Sequence, residues 1–234
     1  LHSSIRQNEA TINGAFNSGR GVGKLVGGID WKDDLHIKLN LKGNDLLIRQ
    51  APLITAIVDT DISLDARPLS KSITVKGMVD VRRALISMPE SSASVVPLSS
   101  DVRVVREGDN QLAILKAAKP WDIRADLELN LGQQVIFQGF NSRIPLLGRI
   151  YLSQQGLETA MRASGAIGVS KKVIIEAYGQ SLDLNRAIAR FSGALSNPTL
   201  DVDANKTISG SIVGLRVTGT ASSPNIQVYN DAGL

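Results

Sequence analysis

Few residues in this chain have the chemistry to react or to hold a metal, and none is set in a catalytic pattern. His2 and His36 are the only histidines. His36 falls on the polar side of an alternating stretch, with no partner evident in the pattern, and reads as a surface histidine. Asp201 and Asp203 have the spacing of a calcium-binding pair, but they are the outward positions of another alternating stretch. The segment GRGVGKL, residues 19–25, has the look of a phosphate loop. The first glycine of that pattern is missing, and Leu25 stands where Ser or Thr would hold magnesium, so a turn is the better reading. There is no His-Glu zinc helix, no Gly-x-Ser-x-Gly elbow and no cysteine. Disulfides, thiolate catalysis and cysteine metal sites are thereby removed. The expectation is a protein without catalytic residues, metal or cofactor.

The composition narrows the partners. The formal net charge is +4, with lysine and arginine spread among aspartate and glutamate, and aromatics make up 4% of the chain. Interspersed charge is a solvated face. Nucleic-acid binding would need a basic cluster with stacking aromatics, so it is not expected. No apolar run reaches the roughly 18 residues of a membrane-spanning helix. The chain opens on Leu1 and stops at NDAGL; it reads as a monomeric piece excised from something longer, 1–234 forming one unit.

The elements are strands. In WDIRADLELNLGQQVIFQGFNSRIPLLGRIYL, Ile123, Ala125, Leu127, Leu129 and Leu131 alternate with Arg124, Asp126, Glu128 and Asn130, the period of a strand with one apolar and one wet face. Gly132 breaks the run, and Val135, Phe137, Leu146, Leu147, Ile150 and Leu152 begin the next passes. The pattern recurs in LHIKLNLK, DISLDAR, ITVKGMVDV, NPTLDVDANK and VGLRVTGTASSPNIQVYND. Breaks are expected at Gly19–Gly23, Gly43-Asn44, Pro52, Gly179-Gln180 and Asn185-Arg186. Pro89 to Pro97 reads as a loop, and DVRVVREGDNQLAILK as a hairpin turning at Gly108-Asp109. Residues 157–163 fit a strand better than a helix. Strand starts every 10 to 13 residues or so predict an all-β chain of short up-and-down connections. One-sided strands must close as a barrel, pair as a sandwich or curl so that two walls face each other.

Several stretches resemble the C-terminal conserved domain of the TamB family, within the AsmA-like group. They are VKGMVDVRRALISMPE, LSSDVRVV, WDIRADLELNLGQQVIFQGF, AYGQSLDLNRAIARFSGALSNPTLDVDA and VGLRVTGTASSPNIQVYND. Gly179-Gln180, Phe191-Ser192-Gly193 and Asn197-Pro198 carry the most recognisable part. The resemblance is clear from about residue 70 onward, so that 71–234 is the conserved portion; the family's extreme C-terminal segment is absent. It implies a long, curled antiparallel or mixed sheet forming a U-shaped trough, a β-taco, with an apolar concave face. It further implies a periplasmic bridge in Gram-negative bacteria, anchored in the inner membrane. The implied partners are phospholipid, the outer-membrane barrel TamA and outer-membrane protein clients.

An alternating sheet that curls without closing leaves an apolar groove. Its expected lipid-contacting lining is Ile123, Ala125, Leu127, Leu129, Leu131, Val135 and Phe137, continued by Leu146, Ile150 and Leu152. Val173, Ile175, Leu200, Val202, Leu215 and Val217 extend it. The terminal strands, with Leu215, Val217, Ile226 and Val228, would meet a partner through an open edge. The competing architectures are a closed sandwich with a dry core and a β-helical passenger; an enzyme is the least favoured reading.

Overall fold

A computed structural model describes residues 2–87, 120–139, 141–157, 160–177 and 179–231. The expected loop at Pro89–Pro97 and the hairpin at Gly108-Asp109 lie outside those residues. The described strands are β1 (His2–Arg6), β2 (Glu9–Ser18), β3 (Gly21–Asp30), β4 (His36–Gln50), β5 (Ile54–Arg67), β6 (Ser72–Ser87) and β7 (Asp122–Gly139). They continue with β8 (Ser142–Gln154), β9 (Arg162–Val169), β10 (Val173–Ala177), β11 (Gln180–Ala194), β12 (Thr199–Ile208), β13 (Ser211–Thr220) and β14 (Ser223–Asn230). No helix occurs among the described residues; of the stretch 157–163 expected as a strand, Leu157 lies in a turn and only Arg162 and Ala163 belong to β9.

All fourteen strands join one sheet in chain order from β1 to β14, with β10 pairing on β11 beside β9. The sheet is open and curled, not closed into a barrel: β1 and β14 end the path without meeting. Neighbours are antiparallel except β6 and β7, which run parallel from Ser72↔Asp122 to Ser87↔Gln138. The sheet is therefore mixed, and not every connection is a short up-and-down turn. Thirteen strands along the path, at about 4.8 Å apiece, give a trough about 58 Å long.

Three expected breaks are not breaks. Gly43-Asn44 lies inside β4, Gly132 inside β7 and Asn185-Arg186 inside β11. Each is a register shift, between Gly43 and Leu46, Leu131 and Val135, and Leu184 and Arg186. A fourth shift inserts Arg82 into β6. A bulge bends its strand and increases local twist. In the first half of the sheet the bulges fall side by side on β4, β6 and β7, so the strands bend along a common crease. This also explains why the strands are longer than the repeat predicted. The breaks at Gly19 and Pro52 hold: Gly19-Arg20 turns β2 into β3, and β4 ends at Gln50.

Burial is confined to one face, and its first cluster lies at the crease. Among the described residues, the buried hydrophobic side chains all belong to the same face of the sheet by register. Leu46, Ala56, Val58, Val81, Ala84 and Val135 form one cluster. Ile144, Ile175, Leu184 and Ala204 form a second, joined to the first through Leu146. Side chains that converge from neighbouring strands on one side make that side concave. Two glycines on this face let the bend tighten. Gly148 on β8 has φ +149°, and a Cβ there would lie 2.2 Å from the Ala166 carbonyl oxygen. Gly77 on β6 has φ +150°, and its Cβ would lie 2.1 Å from the Asp61 oxygen. Only glycine tolerates both the angle and the approach.

The opposite face is tied by cross-strand ion pairs. Arg82, the inserted residue of β6, reaches Asp45 at 2.8 Å and Asp59 at 2.7 Å. Asp59 also accepts from the Asp45 backbone N–H at 2.8 Å. The hydrogen bond to Asp45, then the charges of Asp45 and Asp59, raise the Arg82 pKa above its ordinary value. The two bulges of β4 and β6 are thus linked through the strand between them.

Candidate functional site: an open apolar trough

The concave face is continuous because apolar residues meet in register. One row runs Leu25–Leu41–Ile62–Gly77–Leu127–Leu152–Ala163, from β3 to β9. A parallel row runs Leu39–Leu64–Val75–Ala125. The first half of the chain therefore lines the trough as fully as the second. Sequence reasoning placed Leu41, Ile62, Leu64 and Val75 on strands but left them out of the lining, although their alternation was legible.

The expected lining residues are brought together for the most part. Ile123, Ala125, Leu127, Leu129 and Leu131 are half-buried on β7, with Leu129 opposite Ile150 and Leu127 opposite Leu152. Val135 is 0% exposed, and Ile150 is also buried; both belong to the floor rather than to an accessible wall. Phe137, Leu146 and Leu152 are half-buried. Ile175 is buried beside Leu184, with half-buried Val173 packed against the same cluster. Leu200 and Val202 continue the face on β12, and Val202 pairs with Val217 of β13. Leu215 and Val217 are half-buried, whereas Ile226 and Val228 on β14 are exposed, Val228 at 75%.

His36, Asp201 and Asp203 are each engaged by a neighbouring strand. His36 does have a partner: its Nε2 lies 2.9 Å from Asp65 Oδ1 on β5. Asp201 pairs with Arg186 at 2.9 Å and Arg190 at 3.5 Å. Asp203 accepts from the Tyr229 hydroxyl at 3.1 Å. Tyr229 lies over Gly214, where a Cβ would stand 2.3 Å from the ring, and the Arg216 guanidinium sits 5.4 Å from its centroid. This clasp fastens the edge strand β14 to β12 and β13. Among the described residues, no group of three potential metal ligands converges.

One departure from strict alternation appears beside the crease. Leu47, Ile57, Leu85 and Ile136 occupy the convex face, around a depression of ≈ 420 Å³ that Arg83 and Arg143 also line. The wet face of these strands is therefore partly apolar. The run LLI at residues 46–48 carried the signal, but alternation alone assigns such a run to neither face.

Residues 10–232 match the family described as the TamB C-terminal domain, so the match begins well before residue 70. The chain is similar to the translocation and assembly module subunit TamB of Haemophilus influenzae, 24% identical over 242 aligned positions. That alignment covers 97% of the chain and 18% of the relative, so the chain spans under a fifth of the length of the curated relative. Among the described residues, no helix is long and apolar enough to cross a membrane. With the family matched across nearly its whole length, the chain belongs to the TamB C-terminal domain family.

Proposed function

We propose that the trough holds the acyl chains of phospholipid and forms part of a periplasmic bridge between inner and outer membranes, serving outer-membrane biogenesis. The observation that carries this reading is the half-buried state of Ile123 to Leu131. These side chains lie on the inner face of a curled sheet, yet no described element seals them. A closed sandwich would bury them as it buries Val135. Burying a methylene is worth about 0.8 kcal/mol, so a roughly 16-carbon chain gains about 12 kcal/mol. That figure is for complete burial, so an open groove recovers part of what the chain loses on leaving a bilayer and does not trap its cargo. Aliphatic walls with few aromatics impose little register on a moving chain. A photocrosslinker at Leu129 captures phospholipid in cells, and one at Gln138, exposed on the opposite face, does not. Equal capture at both positions, or capture at Gln138 alone, rejects the conduit.

A second reading is favoured by the exposed apolar edge at β14. There the chain docks a barrel partner, TamA, or an outer-membrane protein client by adding a strand. The relative's name places it in a translocation and assembly module, which calls for at least one other subunit. Deletion of residues 211–234 removes β13 and β14 and should abolish recovery of TamA in pull-down. Undiminished recovery rejects this reading.

A further inference from the structure

The two tryptophans of the chain stand on the same rim of the trough. Trp31 follows the last residue of β3 and Trp121 precedes the first of β7. Each is in phase with the apolar face of its strand: Trp31 with Ile29, and Trp121 with Ile123. Two turns on this rim carry leucines that nothing covers among the described residues, Leu69 at 74% exposed and Leu157 at 62%. The backbone ties these pieces side by side. Asp122 N donates to Lys71 O at 2.8 Å, and Ile123 N to Gly156 O at 3.1 Å. Trp121 therefore sits between the Leu69 turn and the Leu157 turn, at the outer end of the row that descends through Ile123 to Leu131.

Large apolar side chains at turn tips are costly unless something apolar meets them. Tryptophan suits a boundary between hydrocarbon and water, because its ring is apolar and its N–H is not. The charges beside these residues are mixed. Lys32 follows Trp31, and Arg67 and Lys71 bracket Leu69, while Asp30, Asp33 and Asp34 stand alongside Trp31. A rim with both signs complements a headgroup that carries both phosphate and amine, and gives an anionic surface no advantage.

We propose that this rim is the loading lip of the trough: a zwitterionic phospholipid enters sideways, its acyl chains passing over Trp31, Leu69, Trp121 and Leu157 while its headgroup stays among the rim charges. The inference rests on the lipid-conduit reading and adds the route of entry. Entry across a lip differs physically from sliding in along the trough past β1 or β14, because it lets a chain reach the floor from the side along about 58 Å of trough.

The experiment uses the purified chain and vesicles of phosphatidylethanolamine and phosphatidylcholine whose acyl chains carry bromine near the headgroup end. Single-tryptophan forms, Trp31→Phe and Trp121→Phe, are each expected to be quenched by these vesicles, and less by vesicles of phosphatidylglycerol. In a transfer assay with a fluorescent phosphatidylethanolamine, Leu69→Asp combined with Leu157→Asp should slow uptake about tenfold or more, since aspartate offers the passing acyl chain no apolar surface. The lipid held at equilibrium should not change, because neither leucine lines the floor. Uptake within about twofold of the parent, with lipid still held, overturns the lip and leaves the conduit standing. Stronger quenching by phosphatidylglycerol overturns the headgroup assignment. A parent chain that holds no lipid at all overturns the conduit and the lip together.

Discussion

Val135→Asp disrupts the sheet at its crease. Val135 is 0% exposed and packs with Ala84, Ala56, Leu46, Val58 and Val81. A carboxylate placed there meets only aliphatic carbon from β4 to β6, and half-buried Leu129, Leu131 and Leu146 close the remaining sides. An unpaired charge buried so completely either remains ionised at a cost of several kcal/mol or protonates and still loses its hydrogen-bond partners. The expected loss is about 4 kcal/mol or more, a large fraction of a domain's total stability. Urea unfolding followed by far-ultraviolet circular dichroism measures it. Val135→Ala separates packing from charge: it leaves a cavity between strands that bulges already hold bent, and its expected cost is about 2 kcal/mol. If Val135→Asp unfolds at the parent's urea concentration, the crease is not the packed floor described here.

The strands themselves were legible because alternation is local. Ile123 to Leu131 and Leu200 to Ala204 declare their faces within a few residues, and the structure places them so. The bulges were not legible, and the reason is physical. At Gly43-Asn44 the apolar phase slips between Leu41 and Leu46; at Asn185 it slips between Leu184 and Ala187. A reversing turn and a bulge both produce that slip. Which one forms depends on whether the neighbouring strand carries on past it, and that strand lies elsewhere in the chain. The parallel pairing of β6 with β7 was hidden for the same reason, as was the His36–Asp65 contact, which depends on the β4–β5 register. The candidate lining was legible as a face but not as a depth. Nothing in the pattern separates Leu129, which stays half-open, from Val135, which is sealed, because depth depends on which side chains of neighbouring strands pack over each position, and those strands lie elsewhere in the chain. The lip was present in the sequence as Trp31 and Trp121, yet only the register brings them to one rim.

Leu129→Arg is expected to empty the trough of lipid while leaving it folded. Leu129 lies opposite Ile150 of β8 and Val79 of β6, half-buried on the wall above the floor. At that height an arginine can lay its methylenes along the wall and carry its guanidinium toward the open mouth. The folded chain then loses about 1–2 kcal/mol at most, within the ordinary range for a partly buried site. The acyl chain fares worse. To occupy the groove it must displace water from a guanidinium that meets no carboxylate on this face among the described strands, and desolvating an unpaired charge costs several kcal/mol. Lipid recovered with the purified chain should fall at least tenfold, which corresponds to 1.4 kcal/mol. Leu129→Met, similar in volume, should retain it, and Gln138→Arg on the convex side should have no effect. Mass spectrometry of co-purified lipid reads the occupancy, and urea unfolding of the same samples reads the fold. Undiminished lipid in Leu129→Arg would mean that hydrocarbon does not lie against β7. Lipid lost only together with the fold would mean that Leu129 acts as core, and that the half-open wall is a structural feature rather than a binding surface.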